Sequence, residues 1–535
     1  MPKPRERKAP EAPEDLAELQ RRLDELEANK RALERRNREL VLENTLLRRE
    51  LKMSPGSQSP LPRALMSHLL GVLKEWAGCF QQRRVYERAR DLALGFLLNP
   101  GRNTLTQVLC TLGRSQEDWT ADYRMFSERD YDPAALFVPV IHRSLEQDRR
   151  SAAFVAVALD DSSVRKTGKK NGSVRLIRSP LSPAFRANLE PRQRFLEAAV
   201  LVRPEGGKGP CRAIPAGFRD APSAAKPSRK DSEASWAEYR VAQRAQRLGV
   251  QAAELAARVS GQIAQEGTSG KPVLWCVDGS LTNGTFVTSL EAGAQFIGRA
   301  RKDSALYEAA NRSEPGRRDS ATGRVYGERL PTPEAYRKDP QVPWQTCRVF
   351  AAQKGHWPRF KEIGPVLWRR GTKSRPLRLL VIEPLAYRPS RSRKVQYRWP
   401  AYLLTSDMTS PAGDLVQAYM DRWEIEPMFR DQKTTLGLGE AQVWSSASVE
   451  RVPSFVAAVH GVLLVGSLAA FGPRRTGAYG VRAKWRNDKR LRPSLTDLRT
   501  RMRREAWGLG DPPSCAWYPL TRSWFEGAVP SARGV

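Results

Sequence analysis

The spacing of apolar and polar positions changes along the chain, and each change marks an element. From residue 14 leucine recurs at every seventh position, at Leu19, Leu26, Leu33, Leu40 and Leu47. The matching a positions are Leu16, Leu23, Lys30, Asn37, Asn44 and Leu51. Leucine at d with asparagine at a predicts a parallel two-stranded coiled coil over 14–53, because facing asparagines hydrogen-bond only in register. The pairs Arg22–Glu27 and Glu43–Arg48 attract one another in that pairing. The alternative, one amphipathic helix folded on its own chain, does not require five strict heptads. Residues 1–13, rich in Pro and charge, are expected to be disordered, and 54–62 reads as a linker.

Residues 63–150 carry helical stripes, one from Leu65, Leu69, Leu70 and Leu73 and another over Asp91–Leu98. At residue 151 the pattern turns to strands, over Phe154–Leu159, 173–178 and 194–202. A Pro- and Gly-rich loop, 204–227, follows. Next come a long helix over roughly Ser232–Gln265, a strand over 272–277, a helix around 282–291 and a strand over 294–300. That order predicts a mixed α/β core over 151–300. Residues 301–398 hold strand-like runs among many Pro and Arg and read as a β-rich insertion. The core resumes over 399–470. Its most apolar run, Pro453–Phe471, contains His460, two Gly and two Ser, which favours a buried helix over a membrane span. The remainder, 471–535, is a basic region, expected to be either a DNA-backbone arm or a disordered tail.

Composition adds a partner. The 535 residues include 90 Lys and Arg against 58 Asp and Glu, a net charge of +32 spread along the chain. Such a field points to a polyanion, most simply nucleic acid. Six scattered cysteines without a C-x-x-C, and only four histidines, argue against zinc sites and a disulfide framework. The N-terminus has no apolar core for a signal peptide. A cytoplasmic, nucleoid-associated protein with no membrane role is the expectation.

Candidate chemistry sits at three places. The first strand ends in Asp160-Asp161-Ser162-Ser163, and the strand over 272–277 ends at Asp278-Gly279. Open sheets place their sites at strand ends, although a single Asp there is more often a turn or cap residue. The third place is Tyr419 to Lys433. On one continuous helix Tyr419, Arg422, Glu426 and Lys433 fall within a sector about 60° wide, with Arg430 beside them and Asp421 and Glu424 elsewhere. That face offers one carboxylate among phosphate-binding cations, a combination that also occurs as an ordinary solvated face with an Arg422–Glu426 pair.

Tyr419, Arg422, Glu426 and Lys433 match the Tyr-x₂-Arg-x₃-Glu-x₆-Lys signature without a gap. The chain thereby resembles a DDE transposase of a bacterial insertion sequence. The resemblance covers about residues 150–470, and more weakly a helical N-terminal DNA-binding domain over 63–150. It implies a ribonuclease H-like catalytic core interrupted by a β-rich insertion. It also implies a metal and catalytic triad of Asp161, Asp278 and Glu426. The family pattern of Asp followed by two hydroxyl residues favours Asp161, while strand alternation leaves Asp160 open. Two Mg²⁺ ions, with Mn²⁺ as the alternative, would be the cofactors, and transposon ends and target duplex DNA the partners. Tyr419, Arg422 and Lys433 would hold the terminal phosphate, with Arg430 added from geometry. Some relatives stack a flipped base on a Trp where this chain has Ala401, so Trp399 or Tyr402 would take that role. The zipper, which the family pattern does not require, implies a homodimer.

Two rivals share much of this. One is a DNA-binding regulator or domesticated transposase, which a damaged triad would mark; all three acids are present. The other is a metal-dependent nuclease of the same fold that cuts without joining. Thr167-Gly168-Lys169-Lys170 lacks the G-x-x-x-x-G-K-[ST] of a phosphate loop, and Lys169 and Lys170 are expected on DNA backbone instead.

Overall fold

The protein is mixed α/β. A computed structural model describes residues 64–507, apart from 129, 169, 180–181, 184, 267–269, 311–317, 319–323, 352, 388–393, 395 and 481–490. The zipper and Lys169 lie outside the described residues.

Among the described residues five α-helices come first: α1 (Ala64–Glu75), α2 (Arg83–Leu98), α3 (Leu105–Thr111), α4 (Thr120–Ser127) and α5 (Val138–Gln147). The core follows as β1 (Val155–Arg165), β2 (Val174–Arg178), β3 (Leu189–Val202), β4 (Arg212–Asp220), α6 (Glu233–Ala245), α7 (Leu248–Gln265), β5 (Val273–Val277), α8 (Gly284–Thr288) and β6 (Gln295–Arg299). β1 and β3 run antiparallel, β4 joins the far side of β3, and β5 and β6 add in parallel to β1. The strand order is therefore β4-β3-β1-β5-β6. The apolar runs that predicted β1, β3 and β5 are buried throughout, as strands covered on both faces must be.

Three differences from the sequence expectation have physical causes. β4 lies inside the stretch expected to be a loop. Its Pro215 and Gly217 sit where the register with β3 shifts, on a strand paired only with β3, which is where a sheet tolerates them. β2 then belongs to a projecting hairpin, not to the core set of three. The single long helix is two helices, an α6 with no buried residue and an α7 whose Leu255, Ala256, Val259 and Ile263 are buried.

Residues 301–398 do carry short strands, β7 (Tyr307–Ala309), β8 (Tyr326–Arg329), β9 (Gln345–Thr346), β10 (Val349–Ala351), β11 (Lys354–His356), β12 (Arg359–Leu367), β13 (Pro376–Ile382), β14 (Ala386–Tyr387) and β15 (Gln396–Tyr397), with α9 (Pro333–Lys338) among them. β10–β11 and β14–β15 form two separate two-stranded sheets, while the others join the core. β16 (Ala401–Thr405) pairs with both β6 and β13, so β13, β12, β7 and β8 extend one sheet.

α10 (Ala412–Asp421) and α11 (Ile425–Thr434) are separated by a tight 3₁₀ turn, Arg422–Glu424. Pro427 explains the break. It cannot donate to the Trp423 carbonyl and its ring would clash there, so the helix restarts with Pro427 in its first turn. α12 (Ser446–Phe471) starts at a Ser445 cap and ends at Gly472, whose φ of 70° suits glycine. It is the one described helix long and apolar enough to cross a membrane, and it is mostly buried. Phe455 at its middle meets the rings of Trp76, Phe96 and Phe126. The expected basic tail contains a packed helix, α13 (Leu495–Ala506), opened by a Ser494–Asp497 capping box. Its Arg499 is buried and donates to the carbonyls of Leu97, Asn99 and Thr435, so it is not part of a solvated arm.

One buried ion cluster ties these layers. Arg203, at the end of β3, grips Asp421 with Nε at 2.7 Å and Nη2 at 2.6 Å. Arg150 adds a third donor at 3.0 Å, and Gln417 a fourth at 2.9 Å. Replacing Asp421 by Asn strands two buried guanidinium groups and should cost about 3–5 kcal/mol. Urea denaturation checks this, and a loss below about 1 kcal/mol would deny the cluster that role.

Candidate active site at the β1 and β5 strand ends

The pleat of β1 decides what each of its two aspartates can reach. In the β1–β3 ladder Asp160 lies opposite Glu197, Asp161 opposite Leu196 and Ser162 opposite Phe195. Paired residues share a face, and neighbours along a strand alternate. Asp160, Ser162, Phe195 and Glu197 therefore lie on one face, and Asp161 and Ser163 on the other with Arg194. α11 covers the first face. Its Gln432 Nε2 donates to Glu197 Oε1 at 2.5 Å, and its Lys433 Nζ bonds Ser162 Oγ and lies over the Phe195 ring at 5.8 Å. On the opposite face Arg192 Nε donates to Ser163 Oγ at 2.8 Å.

Leu159 pairs with Val277 at the end of the parallel β1–β5 ladder, and Asp278 follows in the turn after β5, where its charge acts on both Asp160 and Asp161. Asp278 also plays the bland role: its Oδ1 accepts from Ser280 N at 2.8 Å, Ser280 Oγ at 2.6 Å and Leu281 N at 3.2 Å. Burial, then the charge of Asp278, pushes the Asp160 carboxyl up to about 7, against the pull of Arg422. Burial raises Asp161 as well, with Arg194 opposing and Asp278 adding to it.

The Tyr419–Lys433 segment splits at the 3₁₀ turn. Three residues at about 120° rather than 100° advance the second helix by roughly 60°. The face predicted to be shared differs in exposure along its length. Tyr419 and Arg422 are buried, while Glu426 and Arg430 are exposed. Arg422 Nη1 donates to Asp160 Oδ2 at 3.1 Å, and its guanidinium lies 5.5 Å from the Tyr419 ring. Asp421 and Glu424 do point elsewhere, to Arg203 and to Arg492. Lys433 is lowered by burial and then by Arg192, while Glu197, Glu426 and Asp161 pull it back up. Lys433 thus feels the charge of both Glu426 and Asp161.

The outlying candidates sort by exposure. Trp399 is 87 % exposed. Tyr402, its alternative as a stacking ring, is buried with its hydroxyl on Glu334, which removes it from that role. Trp423 is exposed and lies beneath both Arg398 and Arg422. Lys170 is exposed. Arg430 keeps 63 % of its side chain exposed and pairs only loosely with Asp431, at 3.7 Å.

Glu197 is a residue the sequence reasoning missed. Its only signal was one acid within an apolar strand, Phe195-Leu196-Glu197-Ala198-Ala199. It is fully buried, and its Oε2 has no hydrogen-bond partner.

Among the described residues no three Asp, Glu, His or Cys side chains are already gathered around one point. The donors nevertheless fit a hard divalent cation. They are carboxylates, the oxygen ligands Mg²⁺ and Mn²⁺ prefer. Asp160 is also destabilised in its charged form by burial and by Asp278, a repulsion that a cation relieves. No protein-family model matches the chain, and no curated protein is significantly similar to it.

Burial drives the Glu197 carboxyl up to about 8. Its folded value lies above the unfolded one, so its stabilising contribution is complete below about pH 4.5 and is lost as pH rises through about 8. Glu197→Gln keeps the carbonyl that Gln432 donates to. It should gain a few kcal/mol over the parent chain above that pH, with the gap closing toward acid. Denaturant titrations across this range check it, and a gap that does not change with pH would refute it.

Proposed function

We propose that the chain is a DNA transposase of the kind its signature resembles, binding the terminal inverted repeats of a mobile element and cutting and joining strands with a divalent metal. The observation that carries this is Asp160, midway along β1 on the face that α11 covers, coupled in charge to Asp278 just past the end of the parallel strand β5, with Glu426 in the first turn of α11. The order β4-β3-β1-β5-β6, antiparallel then parallel, supports a ribonuclease H-like core. The net charge of +32 supports a nucleic-acid partner. The heptads support a homodimer, and the reading implies a cytoplasmic, nucleoid-associated protein.

On this reading Asp160, Asp278 and Glu426 would hold the metal, two Mg²⁺ ions or Mn²⁺ in their place. The pleat puts Asp160 on the face that α11 covers, which favours it, while Asp161 keeps an electrostatic coupling to Asp278 and Lys433 and is the alternative ligand. A divalent cation bound there supplies Lewis-acid stabilisation of charge on the attacking and leaving oxygens. The chain's own residues do the rest. Arg422 orients Asp160 through the 3.1 Å hydrogen bond while Tyr419 packs beneath it. Lys433, positioned by Ser162, places a cation beside the scissile phosphate. Arg430 and Lys170 meet flanking phosphates, and Trp399 offers a ring for an unstacked base. Water attacks first and frees a 3′-hydroxyl, which then attacks a target phosphodiester, one P–O bond forming as another breaks.

Asp278→Asn and Glu426→Gln should each keep duplex binding and lose metal-dependent nicking by about 10²–10³-fold or more. Nicking of a duplex carrying the ends that flank the gene measures this, and cleavage surviving both substitutions would sink the assignment. Joining of those ends into a plasmid is expected as well. Cleavage without joining would instead identify a nuclease.

A further inference from the structure

The sheet face that holds Asp160 does not stop at α11. The β1–β3 ladder runs on through Val164 opposite Gln193. There β2 takes the place beside β3 that β4 leaves at Phe195. Val174 pairs with Gln193, Leu176 with Pro191 and Arg178 with Leu189. By the pleat, Leu176, Arg178 and Leu189 therefore continue the row formed by Asp160, Ser162 and Val164. The hairpin lies alongside the last residues of β1, beyond Asp160, and its turn holds Phe185 and Arg186.

This arm breaks the usual surface rule. Leu176 is 70 % exposed, Leu189 59 % and Phe185 93 %. Three large apolar side chains so exposed on one hairpin mark an interaction surface. The charge around them selects the partner. Residues 165–194 contain nine Lys and Arg against one acid, Glu190. A second copy of a chain carrying +32 would be repelled by such an arm, whereas a polyanion is drawn to it. An apolar row flanked by cations suits a duplex groove, where phosphates line the rim and sugar and base surfaces fill the middle.

We propose that the β2–β3 hairpin is a DNA-gripping arm that extends the Asp160 face, with Arg178 and Arg186 on backbone phosphates and Leu176, Phe185 and Leu189 against the groove. This rests on the nucleic-acid reading above and adds to it a footprint beyond the strand ends. The arm would hold the duplex alongside the site, so its loss acts on binding and not on the bond-breaking groups.

The test uses the full chain and a fluorescein-labelled duplex, with anisotropy titrations at several salt concentrations. Arg178→Glu/Arg186→Glu should weaken binding about tenfold or more. It should also lower the slope of log K against log salt by about two, one for each phosphate contact. Leu176→Ser/Leu189→Ser should weaken binding severalfold with the salt slope unchanged, because it removes no charge. Circular dichroism melts confirm that both variants fold. Equal affinity and slope for the parent and the charge-reversed chain would overturn the arm while leaving the nucleic-acid reading intact. Conversion of a dimer to a monomer by the Leu176/Leu189 variant, with duplex affinity unchanged, would assign the face to a second copy and also overturn it. Failure of the parent chain to bind any duplex would overturn the nucleic-acid reading itself, and the arm with it.

Discussion

The buried pairing of Asp421 with Arg203 and Arg150 joins the end of α10 to the end of β3 and to the chain entering β1. Everything at the strand ends depends on that joint. Asp421 immediately precedes the 3₁₀ turn that delivers Arg422 to Asp160 and starts α11. Arg203 also holds the Gly209 and Phe350 carbonyls, so the same cation braces the β3–β4 connection and the β10 strand. A charge cluster so far out of water is tolerated only when each group is matched, and breaking one partner leaves the others uncompensated. The geometry beside it is correspondingly fixed.

From that joint the site follows by register. α11 lies on the β1–β3 face through Gln432, Lys433 and Phe429, each meeting β3 or β1 side chains of one pleat row. Asp160 belongs to that row, and Asp278 follows the end of the neighbouring parallel strand. Asp160 is therefore placed by pleat and pairing, not by spacing along the chain. Burial, then the charge of Asp278, pushes the Asp160 carboxyl up to about 7.

How much of this was legible in the sequence varies with how local the cause is. β1, β3, β5, β6 and β16 were legible, because buried strands are continuous apolar runs. β4 was not, because Pro215 and Gly217 read as loop residues unless the strand is known to lie at an edge. The Tyr419–Lys433 stretch was legible as helical but not as broken. The missing weight was Pro427, which makes the helix restart as α11. The basic tail concealed α13 because buried arginines that cap carbonyls look, in sequence, like solvated ones. Which aspartate faces α11 was beyond a single strand's pattern, since it needs the cross-strand partner.

The central claim is that Asp160, with Asp278 and Glu426, forms the metal site. The most direct test is Mn²⁺ binding to the full chain, followed by electron paramagnetic resonance, in Asp160→Asn and Asp161→Asn. The account predicts that Asp160→Asn loses most of the bound Mn²⁺ signal and Asp161→Asn keeps it. Retention in Asp160→Asn together with loss in Asp161→Asn would contradict it.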